Sequence, residues 1–328
     1  MLLALAIGAG TRKTYAVGVS SFVDFTQRHG IAQVLPASPA TLCLWLASLA
    51  CPPRSLAIGT CKLYLAALVT HHIECGFDSP LRDSPPMVDR LMAGIKRHAA
   101  ASAKKPKLPI TTSLLRLMQP HLQLATFGDS LLWAVFWVAT TGMLRISEFT
   151  IANNPELDRP LRRTQLTAFD SANRLLDLGS SSTVSNPALI SRLSLHLDAS
   201  KTDPWRGGVD IVLATRTTIN AMCAYLLLRS QVATPEAASS PFLFALASGA
   251  PITRTWLMPR VTLLLRLLHL DPLRYSSHSF RKGGAVSLQA AGAPDSLVRQ
   301  QGRWKSDAFL GYLRDPQLST LVGLTANL

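Results

Sequence analysis

Acidic residues are scarce in this chain: 19 Asp and Glu stand against 33 Lys and Arg over 328 residues. Nowhere do carboxylates gather as they would to hold a divalent cation, so neither a metal nor a cofactor is expected. Cysteine is sparse too. Cys43, Cys51, Cys61, Cys75 and Cys223 are odd in number and form no CxxC, and no histidine falls at a zinc-finger spacing. That pattern argues against a disulfide framework or a zinc module and fits a reducing compartment. No apolar run is as long as a membrane-crossing helix requires, and the nearest, LLWAVFWVATTGML, is ended by Arg145. The opening MLLALAIGAG lacks a basic start and runs at once into TRKTY, so it reads as a helix rather than a leader. No internal repeat is visible.

What is present is apolar substance and positive charge. The chain is 48% hydrophobic and 16% charged, enough to bury a sizeable core, and its formal charge is +14. Its length suits one large domain or two ordinary ones. The charge is spread out: residues 1–109 hold 12 Lys/Arg and 5 Asp/Glu, and the remainder holds 21 and 14. A single basic tail would not give this balance. Two basic halves suggest a polyanion, most simply nucleic acid, contacted from both sides.

The first half reads as about four helices. TRKTYAVGVSSFVDFTQRHG brings Tyr15, Val19, Phe22, Val23 and Phe25 near one face and stops at Gly30. SPATLCLWLASLA begins at Ser38, a capping residue followed by proline. A third periodic run closes at Gly76, and SPPMVDRLMAGIKRHA is a fourth. Residues 99–110, AAASAKKPKLPI, break the pattern with small residues, lysines and prolines. They form either a plain surface loop or a basic strap over a phosphate backbone. The expected division is therefore a helical domain over 1–98, a linker over 99–110 and a second domain over 111–328. In the second, TSLLRLMQPHLQLA and DSLLWAVFWVATTGML look like buried helices. Leu193, Leu195 and Leu197 alternate, Pro204 and Gly207-Gly208 turn the chain, and Val209, Ile211 and Leu213 alternate again, a β-hairpin. Helices resume at TTINAMCAYLLLRS and TWLMPRVTLLLRLLHL, and residues 178–190 are a polar insertion. The fold class expected is mainly α with a small antiparallel sheet.

Chemistry concentrates in a few short stretches. In YSSHSFRKGG, Ser276 or Ser277 can cap a helix from about Ser279 to Ala291, with His278 at its start and Arg281 in its first turn. Arginine disfavours a helix N-terminus, and a bound phosphate there would remove that conflict. TTGMLRISE ends an apolar helix with Arg145 and places Glu148 three residues on. DASKTDPWRGG sets Lys201 at the hairpin turn. GRWKSDAFLGYLRD carries Trp304 and, on a short helix capped by Ser306, Tyr312. Each has an ordinary reading as a surface helix, a helix ion pair or a core aromatic.

In chain order Arg145, Glu148, Lys201, His278, Arg281, Trp304 and Tyr312 resemble the tyrosine recombinases. That family carries an Arg in a G-L-R-x-S-E context, a hairpin Lys, an HxxR, a His or Trp, and a late Tyr. The wording HSFRKGGA and GRWKSDAFLGYLR is most similar to the recombinases of eukaryotic DIRS-like and crypton-like mobile elements. The resemblance spans nearly the whole chain. It departs in one place: Trp304 precedes Tyr312 by eight residues, where many bacterial members have nine.

The resemblance implies a helical, SAM-like core-binding domain followed by a recombinase catalytic domain. It implies that Tyr312 attacks a scissile phosphate to give a 3′-phosphotyrosine, that Arg145 and Arg281 clamp the non-bridging oxygens, and that Trp304 donates its indole N–H there. Lys201 would protonate the leaving oxygen, His278 assist proton transfer or bind the phosphate, and Glu148 orient the basic groups. Arg12, Lys13, Lys96, Arg97, Lys104, Lys105 and Lys107 are the residues expected on DNA. Duplex DNA, self-association as a tetramer on two duplexes, no membrane and a nuclear setting are the expected context. Two other readings stay open: a type IB topoisomerase, which would relax arbitrary plasmids, and a DNA-binding relic, which would bind without forming adducts.

Overall fold

The computed structural model describes residues 7–82, 86–100, 106–151, 160–198 and 207–313, with backbone alone for Ala9, Ala99, Ala100, Ala308, Tyr312 and Leu313. The start of the opening apolar segment (residues 1–6), Lys104, Lys105 and Lys201 lie outside the described residues. The chain forms two compact units that divide after Lys105.

The first unit holds helices α1 (Ala9–Arg28), α2 (Pro39–Ala50), α3 (Ile58–Glu74) and α4 (Met87–Ala100). Phe22, Trp45, Leu46, Leu68, Val88 and Ile95 form its core. Gly30 and Gly76 follow α1 and α3 at positive φ, the stop that a residue without Cβ supplies. Ser38 caps α2 by accepting the Thr41 N–H at 3.1 Å. Helices α1 and α3 cross closely, because a Cβ at Gly18 would lie 3.0 Å from the Ala67 Cβ.

The second unit continues with α5 (Thr112–Met118), α6 (Phe127–Thr141), α7 (Ile146–Phe149), β1 (Leu166–Phe169), β2 (Leu175–Leu176) and α8 (Ser181–Ser185). After these come β3 (Arg192–Leu197), β4 (Val209–Leu213), α9 (Arg216–Gln231), α10 (Pro235–Ser239), α11 (Arg254–Leu267), α12 (His278–Ala290), α13 (Asp295–Gly302) and α14 (Leu310–Leu313). The sheet is antiparallel in the order β2-β1-β3-β4. Leu193, Leu195 and Leu197 face Leu213, Ile211 and Val209 across the β3–β4 ladder, so the alternation read from the sequence fixes the inward face. The β1–β2 hairpin was not anticipated: strands of four and two residues are too short to show a period.

Helix α6 is buried on nearly all sides and is the unit's central rod. Helix α12 lies against it, Phe280 stacking on Phe136 with ring centroids 5.4 Å apart. The approach is so close that a Cβ at Gly284 would sit 2.0 Å from the Thr140 carbonyl oxygen, and one at Gly283 would sit 1.7 Å from that of Ile110. Residues 106–110 run past the start of α12, the Leu108 and Ile110 N–H groups donating to the carbonyls of Arg274 and Ser279. Neither expected serine caps α12 through its side chain. Instead Ser279 Oγ accepts the Ser276 N–H at 2.9 Å, since Ser277 already has helical backbone angles and cannot present its hydroxyl to the first turn. Gly292 at φ +85° follows the end of α12.

Gly283→Ala forces the start of α12 away from residues 106–110. We expect a loss of about 1–3 kcal/mol or more, measured as a shift of the urea midpoint at unchanged slope.

Candidate active site

The site grows from the turn that ends α6. Gly142 closes the helix, Met143 takes φ +44°, and the chain re-enters a helix at Arg145. This turn leaves the Met143 carbonyl as an acceptor. It also places the Arg145 N–H where Glu148, one turn on, reaches back to accept it at 2.8 Å. The other carboxylate oxygen of Glu148 accepts from Arg145 Nη1 at 2.9 Å. Glu148 is 7% exposed and the Arg145 side chain 15%, so this pair is no solvated helix bridge.

Arg281 enters from α12. Its side chain is buried, 2% exposed. It donates to the Met143 carbonyl at 2.5 Å and to the Gly302 carbonyl. The Trp304 ring lies over its guanidinium at 4.4 Å and packs against Phe309 at 5.7 Å. Arg299 holds the Trp304 and Lys305 carbonyls. The structure thus gives Trp304 a stacking role on Arg281, beside the indole N–H role expected of it.

The remaining expected residues fall as follows. His278 is the first residue of α12 and is exposed. Tyr312 lies on α14, and its side chain is outside the described residues. Lys201 falls between β3 and β4 in the sequence, and the described part of that hairpin carries a hydrogen bond between His196 Nδ1 and Asp210 at 2.8 Å. Arg12 and Lys13 are exposed early in α1, and Lys96 and Arg97 are exposed late in α4. Lys107 is exposed, its ammonium donating to the Leu273 carbonyl.

Two basic residues were missed. Lys282 is buried and donates to the Lys107 carbonyl at 2.9 Å. Arg303 is more telling. Its guanidinium bonds Glu148 Oε2 at 2.8 Å and the carbonyls of Gly142 and Met143 at 3.1 Å each. Burial lowers its pKa and neighbouring Glu148 partly restores it. A signal existed in the sequence: Arg303, not Trp304, stands nine residues before Tyr312.

Three guanidiniums therefore gather around one turn with one carboxylate among them. An excess of fixed, forked donors of this kind suits a tetrahedral oxyanion such as a phosphate. Among the described residues no group of His, Cys, Asp and Glu could hold a metal, and no helix is long and apolar enough to cross a membrane.

Comparison with solved structures bears on the scaffold that carries this site. The XerH site-specific recombinase bound to palindromic difH substrate matches with TM-score 0.57 at 14% identity, over 96% of this chain and 78% of that one. The Tn1549 transposon integrase in complex with circular intermediate DNA matches with TM-score 0.51 at 13% identity, over 90% and 87%. A lambda integrase dimer bound to a COC′ core site matches with TM-score 0.53 at 12% identity, over 95% and 73%. The chain shares its fold with these solved recombinase and integrase structures. No protein-family model and no curated protein matches the sequence.

Two substitutions probe the site's architecture. Glu148→Gln leaves the buried Arg303 guanidinium and the partly buried Arg145 guanidinium without their counter-charge, and we expect a loss of about 3–5 kcal/mol by chemical denaturation. Gly302→Ala would place a Cβ 1.6 Å from the Trp304 ring. It should drive the indole off Arg281, read as a shift in tryptophan emission against the Trp304→Phe variant.

Proposed function

We propose that the chain is a site-specific DNA recombinase of a mobile element that cuts and rejoins duplex DNA through a covalent phosphotyrosine. The observation that carries this reading is the meeting of Arg145, Glu148 and Arg281 at one turn. They come from stretches 136 residues apart in a fold shared with solved recombinases and integrases. The basic balance of both halves of the sequence supports DNA as the partner.

In this reading the Tyr312 phenolate oxygen attacks the scissile phosphorus, forming an O–P bond as the bond to the 5′-oxygen breaks. His278 takes or relays the phenol proton. Lys201 gives a proton to the departing 5′-oxygen as general acid. Arg145 and Arg281 stabilise the doubly negative pentacoordinate phosphorus, and loss of one such donor costs about 10²–10³-fold in rate. The strand stays attached as a 3′-phosphotyrosine, so the phosphodiester energy is kept. A 5′-hydroxyl from a second duplex then attacks that phosphorus, reforms a phosphodiester and releases the tyrosine. The reaction consumes no nucleotide cofactor. A tetramer on two duplexes supplies the four strands such an exchange needs, and the wording of HSFRKGGA and GRWKSDAFLGYLR supports a eukaryotic nucleus as the setting.

The test is covalent trapping on nicked suicide duplexes made from the DNA flanking the gene. Wild type should give a denaturation-resistant adduct and Tyr312→Phe none. Tight binding without an adduct on these and on genomically selected sites would sink the reading in favour of a DNA-binding relic. Affinity should fall on the order of 10³-fold between 50 and 200 mM salt, measured by fluorescence anisotropy.

A further inference from the structure

We infer that Arg303 is a positioning residue of the phosphate site, setting Arg145 through Glu148 and Arg281 through the Met143 carbonyl. The inference rests on the recombinase reading and deepens it. The proposed clamp was two arginines and an indole; the geometry adds a third guanidinium that touches the supports of both.

Arg303 sits where an arginine is hard to keep. It closes α13 with φ +57°, a left-handed backbone that glycine adopts freely and other residues at a cost. Its side chain is only 6% exposed. Among the described residues its buried Nε–H finds no hydrogen-bond partner, which is unfavourable. A helix stop needs none of this, and an apolar side chain would fill the space with less desolvation. The contacts show what the arginine supplies. Glu148 Oε2 receives both the Arg145 N–H and Arg303 Nη2, each at 2.8 Å, while Oε1 receives Arg145 Nη1 at 2.9 Å. Arg303 thus shares Oε2 with the Arg145 backbone N–H and confines the Arg145 guanidinium to Oε1. One donor of the Arg145 fork is then committed to Glu148, and its outer donors meet no acceptor among the described residues.

The same Nη2 donates to the Met143 carbonyl at 3.1 Å, the oxygen that Arg281 also holds at 2.5 Å. The Met143 carbonyl and the Glu148 carboxylate are therefore two ends of one joint, with Arg303 as its pin. Charge agrees with geometry. Three guanidiniums against one carboxylate leave an excess of two positive charges, the balance that a doubly negative phosphorane requires. Without Arg303, Glu148 would be left to Arg145 alone and would draw its fork away from the phosphate.

The experiment crosses the protein with its substrate. Adduct formation is followed in single turnover at saturating DNA and low temperature, for wild type, Arg303→Gln and Arg303→Lys. Each is run on a suicide duplex with an ordinary scissile phosphate and on one whose non-bridging oxygen is replaced by methyl. Folding is checked by thermal melting and DNA affinity by anisotropy. We expect Arg303→Gln to slow cleavage of the phosphate by about 10²-fold, the scale of a misplaced catalytic group, with affinity within about threefold. On the methylphosphonate, where an arginine contact is already missing, the defect should shrink at least about tenfold, as coupled groups require. Arg303→Lys, which keeps the charge without the fork, should recover part of the rate. An equal defect on both substrates, or wild-type rates in the folded variants, would overturn the inference; where Arg303→Gln does not fold, Arg303→Lys alone decides it by the same comparison. If wild type gives no adduct at all, the recombinase reading itself fails, a different result.

Discussion

The second unit depends on a close approach of backbones that only hydrogen permits at two adjacent positions. Gly283 and Gly284 let α12 lie against the carbonyl oxygens of Ile110 and Thr140, at distances where any Cβ would overlap them. That contact sets the depth at which α12 meets α6. Phe280 reaches Phe136, and Arg281 reaches the carbonyl that Met143 exposes just beyond the end of α6. A helix displaced outward by the width of a methyl group would carry Arg281 out of hydrogen-bond range of that turn. Packing in the core and geometry at the site are thus one constraint.

Around that turn the polar groups satisfy one another in a short circuit. The carbonyls of Gly142, Met143 and Gly302 and the carboxylate of Glu148 receive three guanidiniums, and Trp304 lies over one of them. A positive excess buried this deeply is unfavourable by itself, since burying a charge without full compensation is expensive. The unit tolerates one elsewhere: among the described residues Arg229 is buried without a carboxylate, bonded to the carbonyls of Ala237, Ser240, Phe242 and Leu243 and to Tyr225. Arg229 staples the segment after α9 to that helix. The cluster at 142–148 differs in having its excess at a site reached from α12, α13 and the turn after α6 together.

Much of this was legible in the chain. The alternation of Leu193, Leu195 and Leu197 with Val209, Ile211 and Leu213 named the hairpin and its inner face, because burial on one side writes a period of two. Ser38, Gly30 and Gly76 marked helix ends by chemistry that needs no tertiary context. The order Arg145, Glu148, Arg281 anticipated residues that meet in space. What escaped notice lacked such signals. Strands β1 and β2 are too short for a period, and their pairing depends on β3. The capping serines failed because Ser279 bonds backward to the Ser276 N–H, a choice made by the fold around it. Arg303 escaped because the indole beside it matched the expected aromatic, and its left-handed backbone is invisible in the letters.

Residues 106–110 carry a consequence for how the chain comes to be folded. Lys282 donates to the carbonyl of Lys107 across 175 residues of sequence, and Leu108 and Ile110 hydrogen-bond to the carbonyls just before and inside α12. The unit's first segment is clasped by one of its last. During synthesis at about 5–20 residues per second, roughly 10–30 s pass between the emergence of the two partners. Through that interval Ile110 lacks its cover, and the groove beside α6 that α12 will fill stays open to water. The second unit must therefore close after most of it has left the ribosome, while α1 to α4, whose partners lie within a hundred residues, have no such wait.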